Sequence, residues 1–245
     1  KDPYIQPNGT LKNRLGIKEY EELNNAEKDI GFVKLIDIGE SFKQKYNKEY
    51  LKSLHKHIFE DIFDWAGDFR TVPLEKIEIV IPGLSLQYSL PKDIDKDLDQ
   101  AFEDLNNMVW SGKNLDQIVP EFTRKLARIW RVHPFRDGNT RTTLAFAENY
   151  AREHGFPMDM GILLDNLTRI KNEQGKVTRY SIRDKFELAA LDDKDYPEPE
   201  YLERLIKQSI QMGIEKEKEK HNILLGTQKN DDELTIWNCE RKIWT

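Results

Sequence analysis

A chain of 245 residues with a net charge of −6 can bury a substantial core as one domain with extensions, and it exerts no general electrostatic pull on nucleic acid or on an anionic membrane. Hydrophobic residues make up 38%, charged ones 33% and aromatics 10%, a balance that excludes a disordered chain and predicts a folded, very soluble one. The single cysteine, Cys239, excludes an intramolecular disulfide and a cysteine-based metal cluster within one chain, and suits a reducing cytoplasm.

In chain order, residues 1–16 carry Pro3, Pro7, Asn8 and Gly9 and read as an extended arm. Tyr20, Leu23, Ala26, Ile30, Val33 and Ile36 then recur at spacings of three or four, which predicts a helix over Lys18–Ile36 with that stripe as its buried face. Gly31 weakens the second half of the pattern. Tyr50, Leu51, Leu54, Ile58, Phe59 and Phe63 predict a helix from Asn47 to Trp65 that stops before Gly67. Between Phe69 and Leu90 the β-branched Thr71, Val72, Ile77, Ile79, Val80 and Ile81, interrupted by Pro82 and Gly83, predict a hairpin, the one convincing strand region.

Pro91 suits the first turn of a helix striped by Ile94, Leu98, Phe102 and Leu105. Asn114–Trp130 forms another through Ile118, Phe122, Leu126 and Ile129, and Thr140–Glu153 a third. Ile162–Gln211 reads as shorter helices. The run Glu215–Lys220 reads as an exposed helical end without chemistry. Trp237 and Trp244 close a charged tail over 213–245, beyond a domain placed at 17–212. No apolar run reaches the roughly 18 to 20 residues that cross a bilayer, so neither membrane nor nucleic acid is an expected partner.

The break between the last two strong helices, His133-Pro134-Phe135-Arg136-Asp137-Gly138-Asn139-Thr140-Arg141, packs a base, a carboxylate, a small-residue turn and a cation together. Taken singly these are a structural histidine, turn and cap residues, and a core phenylalanine. Taken together, the Gly138-Asn139-Thr140 turn aims backbone amides and a positive helix end at one point, a site for phosphate. Arg141 can add a charge-assisted contact. Asp137 is a hard oxygen ligand suited to Mg²⁺ shared with phosphates, and His133 can deprotonate a hydroxyl. The residues alone define a phosphate-binding loop with the means for catalysis.

This segment resembles the Fic-family signature, in which a histidine and a phenylalanine precede an acidic residue, Gly-Asn-Gly-Arg and, three positions on, a second arginine. TLKNRLGI at 10–17, YLKSLHKHIFEDIFDWAGDFRTV at 50–72 and IWRVHPF at 129–135 are also similar to family segments. The resemblance implies an all-α fold, a Fic-type helical bundle with a small β-hairpin flap over the active site and a core motif at 133–144. It further implies a bacterial, cytoplasmic protein adenylyltransferase that moves AMP from ATP, with Mg²⁺, to a Ser, Thr or Tyr hydroxyl of a target protein. By the same resemblance His133 is the base, Asp137 the metal ligand, Gly138, Asn139 and Thr140 the anion hole, and Arg141 a phosphate-binding cation. The hairpin at 71–90, with Lys76 and Tyr88, is the flap that holds the protein target by strand pairing.

Two positions depart from the signature. Thr140 replaces the second glycine but keeps its amide. Leu144 stands where the second arginine belongs, a loss of about 1.5 to 3 kcal/mol if a charge-assisted contact goes with it, unless Arg131, Arg136 or Arg152 takes its place. The departure leaves open a transferase of another phosphate-containing group, or a nucleotide-binding module with little turnover. The family's self-restraining pattern of Ser or Thr, three residues, Glu, then Gly or Asn is not found. Control is therefore expected from a separate inhibitory protein, from donor affinity or from assembly.

Overall fold

The computed structural model describes residues 2–36, 38, 45–74, 80, 84 and 86–241, with side chains to residue 223. Helices dominate: α1 (Tyr20–Ile36), α2 (Lys48–Phe59), α3 (Ile94–Asn106, preceded by a 3₁₀ turn at Pro91–Asp93), α4 (Leu115–Val132), α5 (Asn139–Glu153), α6 (Met160–Leu164), α7 (Ile182–Ala189) and α8 (Glu200–Arg241). One small antiparallel sheet pairs β1 (Ile170–Lys171) with β2 (Val177–Arg179).

The core is built where apolar spacing meets good caps. Asn47 accepts from the Tyr50 amide at the start of α2, and Asn114 with Gln117 forms a reciprocal capping box on α4. The α2 stripe of Tyr50, Leu51, Leu54, Ile58 and Phe59 and the α4 stripe of Ile118, Phe122, Leu126 and Ile129 are buried as their spacing predicts. Helix α4 packs on α3, α5, α7 and α8, while α2 packs on α1, α3 and α5. Between α2 and α5, Tyr46, Tyr50, Phe146 and Tyr150 meet edge to face and offset.

Several expectations are corrected. Helix α2 ends at Phe59 rather than Trp65, and tight turns carry the chain to Gly67. The buried face of α1 is Leu23, Glu27, Gly31 and Leu35, whereas Tyr20, Val33 and Ile36 lie 65–67% exposed. The described strands lie at 170–179, within a stretch read as helical, because an Asn172–Gly175 turn reverses the chain there. Residues 75–79, 81–83 and 85 of the hairpin predicted at 71–90 fall outside the described residues, and those described within it form no strand. Helix α8 runs without a break through Gly213, and residues 215–223 on it are exposed.

Candidate active site

The loop between α4 and α5 is held from behind, with its amides left toward a cavity. His133 ends α4 in the left-handed conformation, φ 51° and ψ 56°, sparsely occupied by residues other than glycine. Its carbonyl and those of Val132 and Pro134 accept from Arg70, the first two from the guanidinium and the third from the backbone amide. Farther along, the Asp137 carbonyl accepts from His55 Nε2 at 3.0 Å, while His55 Nδ1 accepts from the Gly67 amide at 2.9 Å. These two partners fix the neutral tautomer of His55. Its imidazole stacks on Phe135 at 3.8 Å, and burial pushes its pKa down to about 3. Asn139 closes the loop by bonding both the amide and the carbonyl of Phe135 at 2.9 Å.

Gly138 is required twice over. Its φ is +77°, and a Cβ there would stand 2.3 Å from the Phe59 ring. Its amide donates to Asp137 Oδ1, and its carbonyl accepts the first helical bond of α5 from Thr142. The amides of Asn139, Thr140 and Arg141 precede that bond, at the positive end of the helix. The Thr140 hydroxyl accepts from Trp130 Nε1 at 3.0 Å, which turns the added side chain toward α4.

His133, Asp137, Gly138, Asn139, Thr140 and Arg141 together form one wall of a cavity of about 500 Å³. The structure thus brings together every motif residue singled out in the sequence. The opposite walls come from α1, including Lys28 and Phe32, and from the 164–183 region, including Asp165 and Arg183. Tyr88 stacks on His133 with ring centres 4.0 Å apart, and Lys76 lies outside the described residues.

Leu144 is 2% exposed in the core and does not line the cavity. The three arginines considered as substitutes are engaged elsewhere: Arg131 with Asp192, Arg136 with Asp2 and Arg152 with Glu148. Sequence reasoning missed Glu27, whose carboxylate pairs with Arg141 at 2.7 Å while that guanidinium lies over the Phe59 ring. Burial, then the charge of Asp137, pushes the Glu27 carboxyl up against the opposing pull of Arg141. Gly31 leaves room for this pair, since a Cβ there would sit 3.2 Å from Arg141 Nη1. His55 and Arg70 were missed as well, although His55 falls in register with Leu51 and Phe59 on the apolar face of α2, and that placement is itself a signal.

The helical bundle thus turns a histidine, a carboxylate and a helix N-terminus into one cavity. The model of the Fic/DOC family matches residues 45–151 of the chain. It is similar to the protein adenylyltransferase VbhT of Bartonella schoenbuchensis, 28% identical over 160 residues that make up 64% of this chain and 32% of that protein. It also resembles the probable protein adenylyltransferase Fic of Escherichia coli, 25% identical over 64% of this chain and 76% of the relative. The crystal structure of BepC from Bartonella tribocorum with bound AMPPNP shares the fold, with a TM-score of 0.65 at 19% identity over 84% of this chain and 94% of that one. The chain spans about a third of the length of the first of these relatives. No described helix is long and apolar enough to cross a membrane.

Proposed function

We propose that this chain is a protein adenylyltransferase that transfers AMP from ATP to a Ser, Thr or Tyr hydroxyl of a target protein in the cytoplasm. The observation that carries the reading is the shared wall on which His133, Asp137, Arg141 and the first amides of α5 face a cavity of about 500 Å³, within the range of nucleotide-sized pockets. His133 takes the proton as the hydroxyl oxygen bonds to the α-phosphorus, and the bond to pyrophosphate breaks. The α5 amides and Arg141 hold the phosphate oxygens as charge shifts among them.

Asp137 fits a shared Mg²⁺ rather than a resident one. Among the described residues no three His, Cys, Asp or Glu side chains converge on a metal position, whereas Mg²⁺ commonly takes one or two carboxylates together with substrate phosphates and water. Bound there, the ion would neutralise phosphate charge. The target is expected at the segment 71–90, where Lys76 and Tyr88 are candidate contacts and Tyr88 adjoins the base.

Mass spectrometry after incubation with ATP and Mg²⁺ tests the reading. One added AMP on the protein or on a target, lost in His133→Ala, is expected; no adduct in any preparation overturns it. The burial of Leu144 favours a second reading, transfer of another phosphate-containing group, with Lys28 and Arg183 as the cations facing the loop. A panel of labelled donors in the same assay separates the two.

A further inference from the structure

Arg70 is 2% exposed, and each hydrogen bond described for its guanidinium ends on a backbone carbonyl. Nε reaches His133 at 2.8 Å, Nη1 reaches Val72 at 2.8 Å, and Nη2 reaches Ser89 at 2.5 Å and Val132 at 3.5 Å. Its own amide donates to Pro134 at 2.8 Å. A buried cation costs several kcal/mol unless its geometry is well satisfied, and a residue such as His133 in the left-handed region costs of order 1–3 kcal/mol unless its surroundings hold it there. Here the two meet, because the carbonyls of the strained histidine and of both its neighbours converge on Arg70. The bond to Ser89 also anchors the residue beside Tyr88, whose ring lies on the His133 imidazole at 4.0 Å and 17°.

We propose that Arg70 is the positioning residue of the base: one planar guanidinium fixes both the backbone of His133 and the aromatic ring against which its imidazole rests. This rests on the reading of His133 as the base. The fork of five donors matters, because a lysine ammonium has three donors on one atom and cannot replace bonds from three separate nitrogens to four carbonyls. Arg70 does not itself line the cavity, so its loss should misplace the base and leave nucleotide binding intact.

The test is Arg70→Lys, followed by NMR of the His133 Cε1 proton, calorimetry with Mg²⁺-ATP and steady-state AMP transfer. The stacked Tyr88 ring should shift that proton upfield in the wild type, and the variant should lose the shift. Its kcat should fall roughly 100-fold while ATP affinity stays within about twofold, the signature of misplacement rather than lost binding. A folded variant with the wild-type resonance and kcat overturns the proposal. If the wild type transfers no AMP, the functional reading fails by itself, and the His133 resonance still decides the role of Arg70. If the variant does not fold, exchange of the Arg70 guanidinium protons in the wild type decides: slow exchange supports the clamp and solvent-like exchange overturns it.

Discussion

Helices α4 and α1 were read by the same rule of apolar spacing, and the structure treats them differently. In α4, Ile118, Phe122, Leu126 and Ile129 are all 6% exposed or less. In α1 only part of the predicted stripe is buried: Tyr20, Val33 and Ile36 are exposed, and the buried line runs through Leu23, Glu27, Gly31 and Leu35. The reason lies in what each helix covers. Helix α4 is surrounded by other helices, so burial there selects mainly apolar side chains, whereas α1 covers Arg141, and that contact uses a carboxylate and a residue without a Cβ. A helix over an active site is phased by the site's chemistry more than by hydrophobicity.

Breaking each region should therefore give different losses. The largest belongs to the end of α4: His133→Ala should lower transfer by roughly 10²- to 10⁴-fold with little change in ATP affinity, as single-turnover assays and calorimetry would show. Next, Leu126→Ala should cost about 2–5 kcal/mol in chemical denaturation, while Val33→Ala on the exposed side of α1 should change stability by about 0.5 kcal/mol or less. Similar losses at both positions would sink the assignment of the α1 face.

A smaller effect is expected from Glu27→Gln, which removes a carboxylate beside the proposed phosphate site and releases Arg141 from its ion pair. ATP should bind about 2- to 5-fold tighter, in keeping with one partly screened charge contact. Weaker binding in a titration would mean instead that Glu27 holds Arg141 in its working position.

A further difference concerns acid. The folded His55 pKa lies near 3, against 6.5 for an unperturbed imidazole, so the unfolded chain takes up a proton that the folded one refuses. The stability contributed by neutral His55 is complete above pH 6.5 and is lost as pH falls toward 3. Glu27 works the other way: its raised pKa contributes stability at low pH that is lost as pH rises through the raised value. His55→Gln should melt at a lower temperature and show a shallower loss of stability on acidification below pH 6.5. Melting curves with parallel pH dependence in both proteins would exclude this role.

The contrast also explains what was legible in the sequence. Helices α2 and α4 and the motif loop announce themselves through local spacing, caps and a dense run of functional residues. The parts that hold the loop do not, since Arg70 follows a turn without periodicity and acts on carbonyls 62–64 positions away. Strands β1 and β2 have 2 and 3 residues, too few for alternation to register. Leu144 was identified as a missing arginine, but only its burial shows that the position has been absorbed into the core.

Asp2 pairs with Arg136 within the motif loop, joining residues 134 positions apart. Tyr4 meets Trp65 edge to face nearby, so the arm lies across a loop that must first be built by α2, α4 and α5. Closing so long a span costs chain entropy that only an already formed surface can offset. The arm is therefore expected to dock after the bundle has folded and to be among the first segments to detach, so that an intact core can alternate between states with Arg136 tethered and released.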